Sequence, residues 1–402
     1  MSVPLDRLYH YLGDCVNHDL VIYRWAPHGS RKLEDLNQIK LYTDHETHIL
    51  PILIFHDQEP LNYDFYTQDQ ICDRAKVQFV KSSMEFMLKD SVLDYVSAQH
   101  LRAVTICTNN YDLTILVHSE QQSWQVDYFK QKNFLPVYYW SHAVISQDWF
   151  RYAAHDPMLN FDLKNIKQDF LIYNRAWSGT REYRLCFIEH LINSDLIGNC
   201  KTTFNAVDQH THYTAHQFTN KKFTIQNQQL ENYFSPNTYP STASADYVGK
   251  DYVETGIEVV LETLFDDTRW HLTEKTLRPI ACGKPFILAA TPGSLQYLQN
   301  YGFETFADLI DESYDTIANS QDRLKAIIRE MKRISALDAD AKQVLYTKLH
   351  EIAQRNKHRF FNGLFDQVIE EYQTNLNQAM VVMQQHCTGR HRTAIRQLLQ
   401  QN

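Results

Sequence analysis

The run His271-Leu272-Thr273-Glu274-Lys275-Thr276-Leu277-Arg278-Pro279-Ile280-Ala281-Cys282-Gly283-Lys284-Pro285-Phe286-Ile287-Leu288 reads as a capped helix followed by a buried strand. Thr273 is a capping residue type, because its hydroxyl accepts from an otherwise orphaned N–H of the first turn. Gly283 suits the left-handed position that commonly ends a helix. Pro285-Phe286-Ile287-Leu288-Ala289-Ala290 is an apolar run of strand length. Upstream, Ile257-Glu258-Val259-Val260-Leu261-Glu262-Thr263-Leu264-Phe265 predicts another strand, so the region forms a strand–loop–helix–strand unit. Its helix opens with Thr273-Glu274-Lys275. A helix N-terminus carries partial positive charge and free N–H groups, which suits a phosphate, and Lys275 adds a full charge. Glu274 beside it is placed to accept hydrogen bonds from ribose hydroxyls. A solvated first turn shows the same residues, since Glu is common there, and spacing alone leaves both readings open.

The 402-residue chain is long enough for two domains, each with its own core. Its 44% hydrophobic and 22% charged residues are those of a soluble globular protein. A net charge of −9 argues against a uniformly basic nucleic-acid binder, while leaving a local basic cleft open. Tyr (24) and Phe (21) are abundant, and Gly and Pro are scarce at 11 each, which predicts a well-packed chain with few flexible linkers. The 7 cysteines show no CxxC pair or regular spacing, a dispersed set that fits a reducing compartment. No apolar run reaches membrane-span length and the N-terminus lacks a signal-peptide pattern, so the expectation is a cytoplasmic protein with no membrane span.

Residues 1–160 predict an N-terminal α/β domain. Strands are expected at Asp19–Trp25, Ile49–Phe55, Ala103–Cys107 and Leu113–Val117, with Leu135–Trp140 and the Asp148–Tyr152 region closing this half. Polar loops follow three of them: His56-Asp57-Gln58-Glu59-Pro60, Asn109-Asn110 and His118-Ser119-Glu120. Ligands of open parallel sheets sit at the carboxyl ends of the strands, which makes these loops the rim of a binding cleft. A polar connection beginning at Asp156-Pro157 leads into a second domain, 165–345. That domain opens with the strand Phe170–Tyr173 and the turn Asn174-Arg175-Ala176-Trp177-Ser178-Gly179. A helix from Thr180 to Ile192 follows, with Leu185, Ile188, Leu191 and Ile192 at helical spacing. Residues 200–250, rich in Asn, Gln, Thr and His, show no assignable pattern. A helix over Ser294–Asn300 is expected to be capped by Thr291, with Pro292 in its first turn. From residue 320 the pattern is helical almost to the end, and 346–402 forms a helical C-terminal segment. Leu324, Ile327, Ile328 and Met331 make one apolar stripe; Phe360, Phe361, Leu364, Phe365 and Val368 make another.

The Tyr173-Asn174-Arg175 turn and the Thr273-Glu274-Lys275 helix start each follow a strand, and both are expected on the same edge of one sheet. Arg175, Arg181 and Arg184 keep their charge, and a guanidinium grips a phosphate with two hydrogen bonds. Together with Lys275 they form a diphosphate-binding pattern that lacks a glycine-rich loop. Any one arginine is more simply a surface ion pair, for example with Glu182 or Glu189; the joint pattern favours a ligand.

Phe170-Leu171-Ile172-Tyr173-Asn174-Arg175 with Arg181-Glu182-Tyr183-Arg184, and the Leu272–Ile280 helix with Gly283-Lys284-Pro285-Phe286-Ile287, resemble the donor-binding domain of fucosyltransferase-type glycosyltransferases. That family has a strand ending in Ser-Asn before a helix bearing arginine. It also has a Val-Thr-Glu-Lys-Leu helix followed by Gly and a Pro-Val-Val strand. The resemblance covers residues 170–310. It departs at Asn174-Arg175, where the family has Ser-Asn-Cys, and at Pro279-Ile280, where the family has Asn-Ala, so the donor need not be GDP-fucose. What it implies is an α/β protein of two Rossmann-like domains facing a central cleft (GT-B type), with a nucleotide-sugar bound there. By position, Glu274 would bind the ribose and Lys275 the diphosphate, while Arg175 or Arg181 would neutralise the departing nucleoside diphosphate. Asn174, Arg184 and Thr273 complete the implied donor-binding set. The family requires neither a metal nor a cofactor beyond the donor.

Sugar transfer needs a base for the acceptor hydroxyl and cations for the departing diphosphate. In an inverting enzyme the base lies opposite the leaving group, which places it in the first domain. Asp57 and Glu59, after the best-defined strand, are the leading candidates and Glu120 is third; Pro60 stiffens the loop exit. A single acid at a strand end is equally a turn or helix cap. Asp266-Asp267 and Asp338-Ala339-Asp340 resemble acidic metal motifs, and His210, His212 and His216 share a polar stretch, but solvated roles explain all of them and no metal is expected. The Gly389–Arg396 basic run reads as the solvated face of a terminal helix, with nucleic-acid contact as the alternative. The Asn/Gln/Tyr-rich style looks like that of phage-encoded proteins, whose glycosyltransferases act on hydroxymethylated DNA bases with UDP-glucose or UDP-arabinose. The resemblance thus implies a UDP-sugar donor and 5-hydroxymethylcytosine in phage DNA as acceptor, modified in the host cytoplasm. A lipopolysaccharide or capsular glycan acceptor with a GDP-fucose-like donor is the alternative. A duplex acceptor would require base flipping and a local basic lining. A non-catalytic sugar-nucleotide-binding protein on the same scaffold is the second class of function.

Overall fold

The structure, a computed structural model, describes residues 7–15, 21–25, 33–39, 52–61, 114–131, 134–226, 230 and 245–399. The expected strand Ala103–Cys107, the Asn109-Asn110 loop and the side chains of the Gly389–Arg396 run lie outside the described residues. The strands are β1 (Val21–Trp25), β2 (Leu33–Ile39), β3 (Ile52–His56), β4 (Thr114–His118), β5 (Phe134–Tyr138), β6 (Gln168–Tyr173), β7 (Cys200–Thr203), β8 (Val207–Asp208), β9 (Thr211–His212), β10 (Thr255–Leu261) and β11 (Phe286–Ala289). The described helices are α1 (Leu8–Asp14), α2 (Trp124–Gln131), α3 (Ser141–Trp149), α4 (Tyr183–Asn193), α5 (Gly249–Val253), α6 (Glu274–Cys282), α7 (Ser294–Asn300), α8 (Ser320–Ser335), α9 (Ala339–Phe361) and α10 (Leu364–Leu399). No helix among the described residues is long and apolar enough to cross a membrane.

The chain divides into two compact units. Val3–Ser141 with Val368–Asn402 form an N-terminal unit, and His142–Gln367 form a central unit. Both are α/β with mainly parallel strands. In the N-terminal unit the sheet order is β2-β1-β3-β4-β5, parallel throughout except for β2, which is antiparallel to β1. Leu53-Ile54-Phe55 and Ile115-Leu116-Val117 are buried, as a sheet covered on both faces requires. Pro136 is tolerated because β5 is an edge strand among those described. The polar strand β2, Leu-Glu-Asp-Leu-Asn-Gln-Ile, carries no clear apolar alternation, so nothing in its pattern announced it.

The central sheet runs β11-β10-β6-β7, all parallel. From β6 the chain moves to β7 on one side, then passes to β10 and β11 on the other. The order therefore reverses between β6 and β10, a topological switch point at their carboxyl ends. β7, Cys-Lys-Thr-Thr, lies in the stretch without sequence pattern and is a strand because it pairs with Phe170–Tyr173. The apolar stripe of α4 is buried at Leu185, Ile188 and Leu191. Thr273 caps α6 and Gly283 closes it at φ 67°, as its sequence predicts. The start of α7 differs from expectation. Its cap is Gly293 at φ 81°, and the Thr291 hydroxyl instead donates to the Arg269 carbonyl at 3.0 Å. Asp338 caps α9 by accepting from the Ala341 N–H, so the Asp338-Ala339-Asp340 motif is a helix start.

Gly256 in β10 marks a close approach. A methyl group there would sit 2.7 Å from the Tyr346 ring and 2.9 Å from the Asp169 carbonyl. Tyr346 is held over it by a 2.7 Å hydrogen bond to the Asp169 carboxylate. Gly256→Ala is expected to lower stability by about 1–3 kcal/mol through overpacking, measured by urea unfolding. An unchanged midpoint would be incompatible with this contact.

Candidate functional site

At the carboxyl end of β10 stands Glu262, which has no exposed surface. One carboxylate oxygen accepts from the Thr273 N–H (2.9 Å) and the Thr276 hydroxyl (2.6 Å). The other accepts from the Thr273 hydroxyl and the Thr263 N–H, both at 2.9 Å. Four donors thus saturate one buried carboxylate and seat the first turn of α6 against the strand. Glu262 escapes a reading based on the strand pattern. Its signal was an acid, the second after Glu258, at the end of an otherwise apolar run.

Glu274 is buried and accepts from the Lys275 ammonium at 2.6 Å, with His142 Nδ1 at 3.5 Å from its other oxygen. Burial pushes this carboxyl upward, but Lys275, His142 and its own backbone N–H outweigh burial and hold it well below the usual range. The His142 ring meets His271 edge-on at 5.5 Å. Lys275 also bonds the Thr273 hydroxyl at 3.2 Å, so its charge is already partly committed within the helix start.

At the carboxyl end of β6 the three arginines separate. Arg184 is buried and donates to Asn174 Oδ1 (2.9 Å) and to the carbonyls of Ala176 (2.6 Å), Leu261 (2.5 Å) and Glu262 (2.9 Å). It ties the ends of β6 and β10 together through its two terminal nitrogens, while its Nε has no partner among the described residues. In α4 Arg184 precedes Ile188 and Leu191 by four and seven residues, in line with the buried stripe. Thr273 likewise spends its hydroxyl on Glu262 and on the helix start.

Arg175 and Arg181 are half-buried, and their side chains form no hydrogen bond or ion pair among the described residues. The ion pairs that would have made them ordinary are absent. Glu182 instead accepts from His216 (2.9 Å) and from the N–H groups of Thr219 (2.7 Å) and Asn220 (2.8 Å), and Glu189 accepts from the Gln226 N–H at 2.6 Å. Asp208 accepts from the N–H groups of Trp177 (2.8 Å) and Ser178 (2.7 Å) and from the Ser178 hydroxyl (2.7 Å), fixing the turn that carries Arg175. Burial alone would raise the Asp208 pKa, yet those donors and Arg175 bring it below its ordinary value. Asn174 is buried; Arg184 holds its carbonyl oxygen, and its amide nitrogen has no partner among the described residues. Asp266 bonds Asn220 (2.7 Å) and Lys222 (2.9 Å), while Asp267 pairs with Arg269 at 2.7 Å. Among the described residues no group of three or more His, Cys, Asp or Glu is placed to hold a metal ion.

In the N-terminal unit the three expected acids also divide. Asp57 is buried; the Tyr9 hydroxyl donates to it at 3.2 Å, the Tyr139 hydroxyl donates to its other oxygen, and the Ser141 hydroxyl donates to its carbonyl at 2.5 Å. Glu120, also buried, accepts from the Leu61 N–H (2.6 Å) and the Ser123 hydroxyl (2.5 Å). These two carboxylates pin the 57–61 loop at both ends. Glu59, between them, is half-buried and makes no hydrogen bond or ion pair among the described residues.

Comparison with protein-family models, with curated proteins and with solved structures finds no match to this chain.

His56 and His118 are register partners on β3 and β4, and both are buried. Burial pushes His56 down to about 4. Burial, then the nearby charges of His56 and Lys130, takes His118 down to about 3. The Glu120 N–H points at His118 Nδ1 (3.3 Å), a bond that only the unprotonated nitrogen accepts. In the unfolded chain both would protonate near pH 6.5. Their contribution to stability is therefore complete above that pH and is lost as pH falls through 4 towards 3, by about 1.4 kcal/mol per unit of depression. Thermal unfolding from pH 7 to 4 is expected to show this decline, and His118→Asn should flatten it.

Proposed function

We propose that the protein is a nucleotide-sugar-dependent glycosyltransferase of the GT-B type. The central unit would bind the donor and the N-terminal unit the acceptor. The reading is carried by one observation: the half-buried side chains of Arg175 and Arg181, in the segment that follows β6, make no hydrogen bond or ion pair among the described residues, and Asp208, the carboxylate that feels Arg175, is already held by three donors. A charge kept partly out of water without a direct ion pair is costly, and a diphosphate would supply one.

In this reading Arg175, Arg181 and Lys275 hold the diphosphate and stabilise it as it leaves. Glu274 accepts from the ribose hydroxyls, a task that needs the ionised carboxylate its neighbours favour. The Asn174 amide adds a neutral donor. Arg184, Thr273 and Glu262 shape the site without touching the donor. Glu59 takes the proton from the acceptor hydroxyl as its oxygen attacks the anomeric carbon and the nucleoside diphosphate departs, with inversion. Asp57 and Glu120 keep the Glu59 loop in place. A UDP-sugar is the favoured donor.

Incubation with UDP- and GDP-sugars tests the reading, since such a transferase hydrolyses its donor slowly without acceptor. Arg175→Ala and Lys275→Ala are each expected to weaken nucleoside diphosphate binding about tenfold or more, read by calorimetry. Glu59→Gln should leave that binding unchanged while lowering turnover by about 10²-fold or more. Diphosphate binding without turnover of any donor would point to a sugar-nucleotide-binding protein instead.

A further inference from the structure

A cleft of about 420 Å³ is lined by β5, α2, α10 and the end of β4, all within the N-terminal unit. That volume falls within the range of small-molecule sites, about 300–1,000 Å³. Val126 on α2, Leu135 and Pro136 on β5, and Ala379 and Val382 on α10 give it apolar walls. His118, at the carboxyl end of β4, is 3% exposed and lines the same cleft. Its Nδ1 accepts from the Glu120 N–H at 3.3 Å, which places the ring proton on Nε2. Nε2 makes no hydrogen bond among the described residues. A donor on a ring this deeply set calls for an acceptor, and the cleft is where one can sit.

The other polar groups of the cleft define that acceptor. Lys130 lines it too, close enough to His118 for its charge to act on the ring. Its 3.1 Å pair with Asp127 joins two exposed side chains, a contact worth little in water and easily exchanged. An N–H donor beside an ammonium matches a carboxylate, with one oxygen for each. Asn375 adds a second point of recognition. Its amide nitrogen donates to the Tyr138 carbonyl at 2.8 Å, so its Oδ1 is the atom that remains to accept. Among the described residues that line the cleft, Lys130 is the one cation and there is no acid. The complement of this lining is a monoanion on an apolar body, with a hydroxyl to donate.

We propose that this cleft binds a small hydroxylated carboxylic acid with an apolar body, its carboxylate held between His118 Nε2 and the Lys130 ammonium and its hydroxyl donating to Asn375 Oδ1. The site adjoins the 57–61 loop, since Glu120, which donates to His118, also takes the Leu61 N–H at 2.6 Å. It is separate from the donor site of the central unit and needs no nucleotide-sugar. The full-length protein at neutral pH is titrated with para-hydroxyphenylacetate, phenyllactate and mandelate, and with the amide of each, followed by calorimetry and by the NMR signals of its histidine rings. At least one acid is expected to bind with a Kd below about 1 mM and to shift the His118 Nε2 signal, while its amide binds about tenfold or more weakly. Lys130→Met, which disturbs only an exposed pair, should weaken the acid about tenfold. Val126→Phe, at a half-buried wall position, should fill the cleft and abolish binding. Melting temperature should match the parent protein in both variants. Failure of all three acids to bind in that range, equal binding of acid and amide, or undiminished binding by either variant would each overturn the proposal. Inorganic phosphate binding as tightly as the acids would overturn it too.

Discussion

The Glu262 carboxylate, out of contact with solvent at the end of β10, takes four hydrogen bonds, three of them from Thr273 and Thr276. A buried carboxylate with fewer partners would cost several kcal/mol, so the strand end and the helix start are obliged to meet in this register. Everything at the rim of the central sheet follows from that seating. It sets where α6 begins, and hence where Glu274 and Lys275 stand. It leaves the Glu262 carbonyl to accept from Arg184 and from the Tyr183 hydroxyl at 2.7 Å.

A second constraint is the way buried cations are used. Arg184 spends its donors on carbonyls at the ends of β6 and β10, and Arg323 does the same with the Ile317 and Phe265 carbonyls while lying over the Phe265 ring. Arg278 is paired with Glu258 at 2.6 Å. These guanidiniums work as crosslinks between segments that the fold brings together from distant parts of the chain. Against that pattern the side chains of Arg175 and Arg181 are exceptions, since they make no hydrogen bond or ion pair among the described residues.

The N-terminal unit follows the same economy with acids. Asp57 and Glu120 are consumed in holding the loop that bears Glu59, so the carboxylates that look most promising by their place after a strand are mainly fasteners. Glu59, in the middle of the loop, makes no hydrogen bond or ion pair among the described residues. Fixing both ends of a short segment limits the conformations of the side chain between them, as the proposed role of general base would require.

Much of the central unit was legible in the chain itself. Thr273, Gly283 and the apolar run after it mark the bounds of α6 and β11, because capping and strand burial are encoded by neighbouring residues. The alignment of Arg184 with Ile188 and Leu191 was equally local. Tertiary structure alone decided which arginines are spent and which are free, since that depends on carbonyls and carboxylates far away in sequence. It also decided that Cys200–Thr203 is a strand, through pairing with β6, and that Gly293 rather than Thr291 caps α7. Local sequence determined the elements and their ends. The partners of each buried charge were settled only when the strands were laid side by side, because desolvation makes every such group take whatever donor or acceptor the fold brings to it.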